Sequence, residues 1–93
     1  MERIAMPTIS RFYGIRITMK PEENERHHVS HFHVHYGGYE AVYSCKGDLL
    51  SGKLPFKQDR LVKAWASLHE TELEENWYLA SNHAECYRID PLH

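Results

Sequence analysis

Between His31 and Tyr36 the chain alternates without exception: His, Phe, His, Val, His, Tyr. Successive side chains of a strand point to opposite faces, whereas a helix brings residues three or four apart onto one face. A strand sorts these six cleanly, with Phe32, Val34 and Tyr36 on an apolar face and His31, His33 and His35 on the other. Five of the chain's eight histidines lie between His27 and His35. The polar chemistry of the chain is therefore centred on this strand.

The neighbouring segments read as partners for it. Ile9 to Met19 is rich in strand formers, and Ile15, Ile17 and Met19 alternate with Arg16 and Thr18, so one strand is expected there. Gly14 interrupts it as a bulge or a close backbone approach. Lys20 to Arg26 is a polar loop. Gly37-Gly38 supplies the positive φ values of a two-residue hairpin turn. Tyr39 to Cys45 is the returning strand, with Tyr39, Ala41, Tyr43 and Cys45 on one face. Lys46-Gly47-Asp48 is a second turn, and Leu49 to Leu54 a short fourth strand. Pro55 stops it, because proline has no N–H to give to a ladder.

From about Lys57 the apolar period lengthens from two to nearly four. Leu61, Trp65 and Leu68, then His69, Leu73, Asn76, Trp77 and Ala80, form one helical stripe. The stripe drifts near His69, where a kink or break around His69 to Thr71 is expected, and Thr71 with Glu74 has the spacing of a capping box there. Ser81-Asn82 ends the helix. Cys86 to Ile89 is a candidate final short strand before a tail, Asp90 to His93. The expected class is α+β: a four-stranded, mainly antiparallel sheet with one long or kinked helix on one face. Residues 1–5 read as a flexible leader, with Met6 an alternative start, and 6–93 as a single domain. The open sheet edges invite a homodimer or a partner chain.

Bulk properties narrow the classes. A hydrophobic fraction of 42% and a charged fraction of 26% suit a globular chain. No run approaches the roughly 18 apolar residues of a membrane span, and the N-terminus has no apolar signal core, so a cytoplasmic protein is expected. Cys45 and Cys86 are read as reduced thiols, not a disulfide. A net charge of −2 argues against broad binding of nucleic acid, while leaving room for a local cationic pocket.

Met6-Pro7-Thr8-Ile9-Ser10-Arg11-Phe12-Tyr13-Gly14-Ile15 resembles the N-terminal signature of a family of small bacterial proteins, the domain of unknown function numbered 4160. His31-Phe32-His33-Val34 resembles its His-Phe-His-Val element. Tyr36-Gly37, Tyr39-Glu40-Ala41, Gly52-Lys53-Leu54-Pro55, Trp65-Ala66, Leu68-His69, Glu75-Asn76-Trp77 and Ile89-Asp90-Pro91-Leu92 also resemble its motifs. The family's usual proline pair before the first histidine is replaced here by Val29-Ser30. His27, His28 and His35 fall outside the usual motif and are set aside as site residues. The resemblance implies no established activity. It implies a gene that neighbours a small DNA-binding-like partner protein, hence the toxin-like member of a two-gene, toxin–antitoxin-type module.

Three readings of the site follow. In the first, His31 and His33 act as base and acid in RNA cleavage by the 2′-hydroxyl, with His69 completing the polar centre and Arg11 and Lys53 steadying the phosphate. In the second, His31, His33 and His69 bind a metal, zinc by preference, leaving a fourth position for water. In the third, the histidines are structural and the chain is a non-catalytic protein-interaction module. Trp65 and Trp77 are expected in the core, and Glu70, Glu72, Glu74 and Glu75 on a solvated face.

Overall fold

A computed structural model describes residues 8–20 and 29–93. The expected leader 1–5, the alternative start at Met6, most of the polar loop, and His27 and His28 lie outside the described residues. Five strands form the sheet: β1 (Thr8–Phe12), β2 (Ile15–Thr18), β3 (His31–Tyr36), β4 (Tyr39–Ser44) and β5 (Leu49–Gly52). Two helices follow, α1 (Phe56–Leu68) and α2 (Glu70–Ser81). The strands pair in chain order, each antiparallel to the next. The α+β class is as expected, but the sheet has five strands, not four.

The extra strand comes from the segment Ile9 to Met19, expected as one piece. Tyr13 and Gly14 both take positive φ, 49° and 80°, and fold the segment into a hairpin that pairs Phe12 with Ile15. Two consecutive left-handed residues match the twist of a two-residue hairpin. The glycine is thus half of a turn and not a bulge; the register shift lies instead between Thr8 and Ser10. The Gly37-Gly38 hairpin forms as expected and pairs Tyr36 with Tyr39, with positive φ at Gly37 alone.

Alternation then divides the sheet. Phe12, Ile15, Ile17, Phe32, Val34, Ala41 and Tyr43 are buried and share one face. Trp65 of α1 packs on that face, its ring 5.4 Å from Phe12 and 5.7 Å from Phe32. The Tyr43 hydroxyl donates to Asp59 Oδ1 in the first turn of α1 at 2.6 Å. That bond and burial together raise the Tyr43 pKa, burial first. A carboxylate in the first turn also suits the helix dipole.

The single long or kinked helix is two helices, separated at His69. The buried residues are Val62, Trp65 and Ala66 in α1 and Leu73, Asn76 and Ala80 in α2. Leu68, assigned to the stripe from sequence, is 70% exposed. The true stripe runs Val62, Ala66, His69, Leu73, Asn76, Ala80, a repeat of three and four. Such a repeat drifts by about 20° per heptad around a straight helix, and the break at His69 absorbs the drift. The Thr71–Glu74 capping box is not made: α2 begins at Glu70 with no side-chain cap. None of the described helices is long and apolar enough to cross a membrane.

The segment after α2 is not the expected strand. Asn76 is fully buried; its Nδ2 donates to the Tyr87 carbonyl at 2.9 Å, and the Tyr87 amide donates to its Oδ1 at 3.0 Å. A side-chain amide thus satisfies backbone groups that a strand would have placed in a ladder. Farther on, the Ile89 amide donates to the Ile9 carbonyl at 2.8 Å, and Trp65 Nε1–H donates to the Asp90 carbonyl at 2.8 Å. The C-terminal segment is thereby tied to β1 and to the centre of the core.

Both cysteines are free thiols; Cys45 is buried and Cys86 half-buried. Burial pushes the Cys45 thiol up to about 12, against a smaller opposing effect of a hydrogen bond with Ser30. Only the thiolate reacts with alkylating agents, so at about pH 8 roughly one molecule in ten thousand carries the reactive form. Native protein treated with iodoacetamide is expected to leave Cys45 unmodified under conditions that modify it fully in urea. Mass spectrometry of the peptides reads the difference. Equal rates with and without urea would contradict the assigned burial.

Candidate functional site

The face of the sheet opposite Trp65 is polar, and the strand register composes it. Arg11 pairs with Arg16, Arg16 with His35, and His35 with Glu40, which makes one row across β1 to β4. A parallel row runs Thr8, Thr18, His33, Val42 and Ser51. Directly opposed residues of an antiparallel pair project to the same side. Arg16 therefore reaches Thr8, its guanidinium donating to Thr8 Oγ1 at 3.3 Å. Thr18 Oγ1 and His35 Nε2 share a hydrogen bond at 3.2 Å, and Glu40 lies 3.6 Å from His35 Nδ1. In its protonated form His35 donates to Thr18 and forms an ion pair with Glu40. A cavity of about 220 Å³ opens on these strands, lined in part by His33, His35, Glu40, Val42, Ser51 and Gly52.

The five residues singled out from sequence take different places. His31 is only 2% exposed. Its Nδ1 lies 2.8 Å from the Val29 carbonyl, an acceptor only, so this nitrogen carries the proton. Its ring lies 4.6 Å from Trp77 and edge-on to His33 at 5.7 Å. His33 is half-buried and faces the cavity. His69 sits between the helices, its ring 5.6 Å from Trp65 and its Nδ1–H donating to Glu72 through a short hydrogen bond. Arg11 is exposed on β1. Lys53 is exposed just past β5, and its amide donates to the Glu40 carbonyl at 3.2 Å.

Among the described residues, no group of three or more His, Cys, Asp or Glu side chains is placed to hold a metal ion. His69 is engaged on the helical side by Trp65 and Glu72, while His33 and His35 lie on the polar sheet face beside the cavity. The register adds Arg16, His35 and Glu40 to the polar centre. Strict alternation already placed His35 beside His33, and Arg16 opposite Ile15 and Ile17. The family motif leaves His35 out, although alternation puts it on the same face as His33.

Val29-Ser30 holds the approach to β3. The Cys45 amide donates to the Ser30 carbonyl at 3.0 Å, and Ser30 Oγ donates to Glu74 Oε2 at 2.9 Å. The second bond needs a hydroxyl that proline lacks. It links the start of the histidine strand to α2.

One family model, described as a domain of unknown function (DUF4160), matches residues 14–78. The match spans β2 to most of α2 and includes Arg16, His33, His35, Lys53 and His69; Arg11 lies before it. No curated protein and no solved structure matches the chain.

Proposed function

For this chain, which belongs to the DUF4160 family, we propose that the polar sheet face binds the phosphodiester backbone of RNA. The observation that carries the reading is the direct cross-strand pairing of Arg11 with Arg16. Like charges placed opposite each other destabilise a sheet. Among the described residues no carboxylate forms an ion pair with either arginine. A bound phosphate removes that repulsion and accepts hydrogen bonds from both guanidinium groups. His35 extends the cationic row when protonated, and Lys53 flanks its far end.

The same face has the groups for strand cleavage. His33 is the candidate base that takes the proton of the 2′-hydroxyl, and His35 the candidate acid that protonates the departing 5′ oxygen. The new bond joins O2′ to phosphorus, the bond to O5′ breaks, and a 2′,3′-cyclic phosphate results. The arginines stabilise charge developing on the phosphoryl oxygens. His31, enclosed against Trp77, orients the strand rather than touching substrate. The reading makes the chain the RNA-directed, toxin-like member of a two-gene module, with a small partner protein controlling access to the face.

Fluorescence anisotropy with labelled single-stranded RNA tests it. Arg11→Ala combined with Arg16→Ala is expected to weaken binding at least tenfold. It should also flatten the slope of log affinity against log salt by about 1.4, as expected for two lost phosphate contacts on a single strand. His33→Ala is expected to keep binding and lose cleavage, and an all-deoxy strand to bind uncut. Wild-type protein that neither binds nor cuts RNA would overturn the proposal.

A further inference from the structure

Away from the sheet face, α2 and the segment after it enclose an open groove of about 640 Å³. Leu79, Tyr78 and Tyr87 give it apolar walls, and Glu70, Glu74 and Glu75 stand around it. Tyr78 is 69% exposed. Tyr87 donates its hydroxyl to Glu75 through a short hydrogen bond, which holds one wall upright. No lysine or arginine lines the groove. A ligand that buries those tyrosines must also bring positive charge to three carboxylates.

The chain carries a surface of that description. On the exposed side of α1, Phe56, Lys57, Arg60 and Ala64 border a shallow hollow with Leu61, and the exposed Phe56 and Arg60 side chains form a ridge beside it. Phe56 is 74% exposed, and the Arg60 guanidinium lies 5.4 Å from its ring centroid. Lys63 and Asp59 on the same helix are 3.4 Å apart and offset each other. The ridge is therefore cationic and aromatic where the groove is anionic and aromatic, and the two share no residue.

We propose that the groove takes the α1 ridge of a second copy of the chain, head to tail. Phe56 lies between Tyr78 and Tyr87 of the next copy, and Lys57 and Arg60 meet Glu70, Glu74 and Glu75. Contact of a helix face with an apolar groove rimmed by opposite charge is a common mode of recognition. Because the two surfaces differ, the contact is heterologous and repeats, giving a ring or a short row of copies. The proposal is independent of the RNA reading.

Sedimentation velocity on the full chain tests it. Wild type is expected to shift to faster-sedimenting species between low and high micromolar concentration, and to lose that shift in high salt. Glu74→Lys with Glu75→Lys, which reverses the groove, is expected to sediment as a monomer. Lys57→Glu with Arg60→Glu, which reverses the ridge, is expected to do the same. Mixing the two variants should restore association, since each supplies the surface the other needs. Tyr78→Ala, which touches neither internal hydrogen bond of the groove, should weaken association at least fivefold while leaving the thermal melt unchanged. Circular dichroism confirms that each variant is folded. A wild type that is monomeric throughout, association that survives both reversals, or a mixture that stays monomeric would each overturn the proposal. Survival of both reversals would point instead to pairing at the open β5 edge.

Discussion

Gly52→Ala is expected to strip β5 from the sheet. Gly52 has a φ of +75°, and a Cβ built there falls 2.3 Å from the Glu40 carbonyl oxygen and 2.8 Å from the Ala41 Cα. The left-handed conformation alone costs an L-residue about 1–2 kcal/mol. The contacts are with backbone, so no side-chain rotation relieves them. The same Glu40 carbonyl accepts the Lys53 amide, so any retreat of the strand breaks that bond as well. The expected loss is about 3 kcal/mol or more, which for a domain of this size lowers Tm by roughly 12–24 °C. Amide exchange should locate the damage. β5 and Lys53 should exchange faster, while β2 and β3 hold. A variant melting within about 2 °C of wild type would refute the crowding assigned to this glycine.

Trp65→Ala should be more damaging still. The indole is fully buried, touches the rings of Phe12, Phe32 and His69, and donates to the Asp90 carbonyl. Truncating a buried tryptophan costs about 3–5 kcal/mol. Loss of the indole hydrogen bond to the Asp90 carbonyl adds about 0.5–1.5 kcal/mol. A domain of this length has only about 5–14 kcal/mol in all. The variant is expected to lose its near-ultraviolet circular dichroism and its cooperative urea transition. Trp65→Phe keeps an aromatic ring but no donor, and should fall between the two. A urea midpoint for Trp65→Ala close to that of wild type would contradict the central place given to this side chain.

Both residues stand in motifs read from the sequence, yet the sequence did not disclose their reasons. The sequence offers Gly52 only as part of a strand, because the close approach of the Glu40 carbonyl depends on β4 and not on neighbours along the chain. Trp65 was placed in the core by its helical spacing, and the structure agrees. The Gly37-Gly38 turn and the two faces of β3 were legible because period-two alternation is a local property. The Tyr13-Gly14 turn was missed because a tyrosine with positive φ has no compositional signature. Leu68 was misassigned for a different reason. Apolar residues one position either side of a stripe give nearly the same periodicity, and only packing selects between Leu61 and Val62 or between Leu68 and His69.

The polar face was half legible. Alternation placed His31, His33 and His35 on one side, but burial then separated them: His31 is enclosed and His33 and His35 face the cavity. The sequence offers Arg11 as a phosphate contact; the structure places it exposed on β1, and its cross-strand neighbour Arg16 follows only from the Tyr13-Gly14 hairpin. Asn76 was placed in the helical stripe, whereas its role as a clamp on Tyr87 depends on a segment folding back from eleven residues away.

The bonds from Ile89 to Ile9 and from Trp65 to Asp90 set an order of events during synthesis. Ile9 is made eighty residues before Ile89, whose amide covers its carbonyl. Until then the Ile9 carbonyl and the indole N–H of Trp65 have only water to satisfy them. The nascent chain thus passes through a stage in which the meander and α1 exist but the latch does not, and its β1 edge is open to any other extended chain nearby. As long as Ile89 and Asp90 stay inside the ribosome the protein remains in that open state, and their emergence closes it.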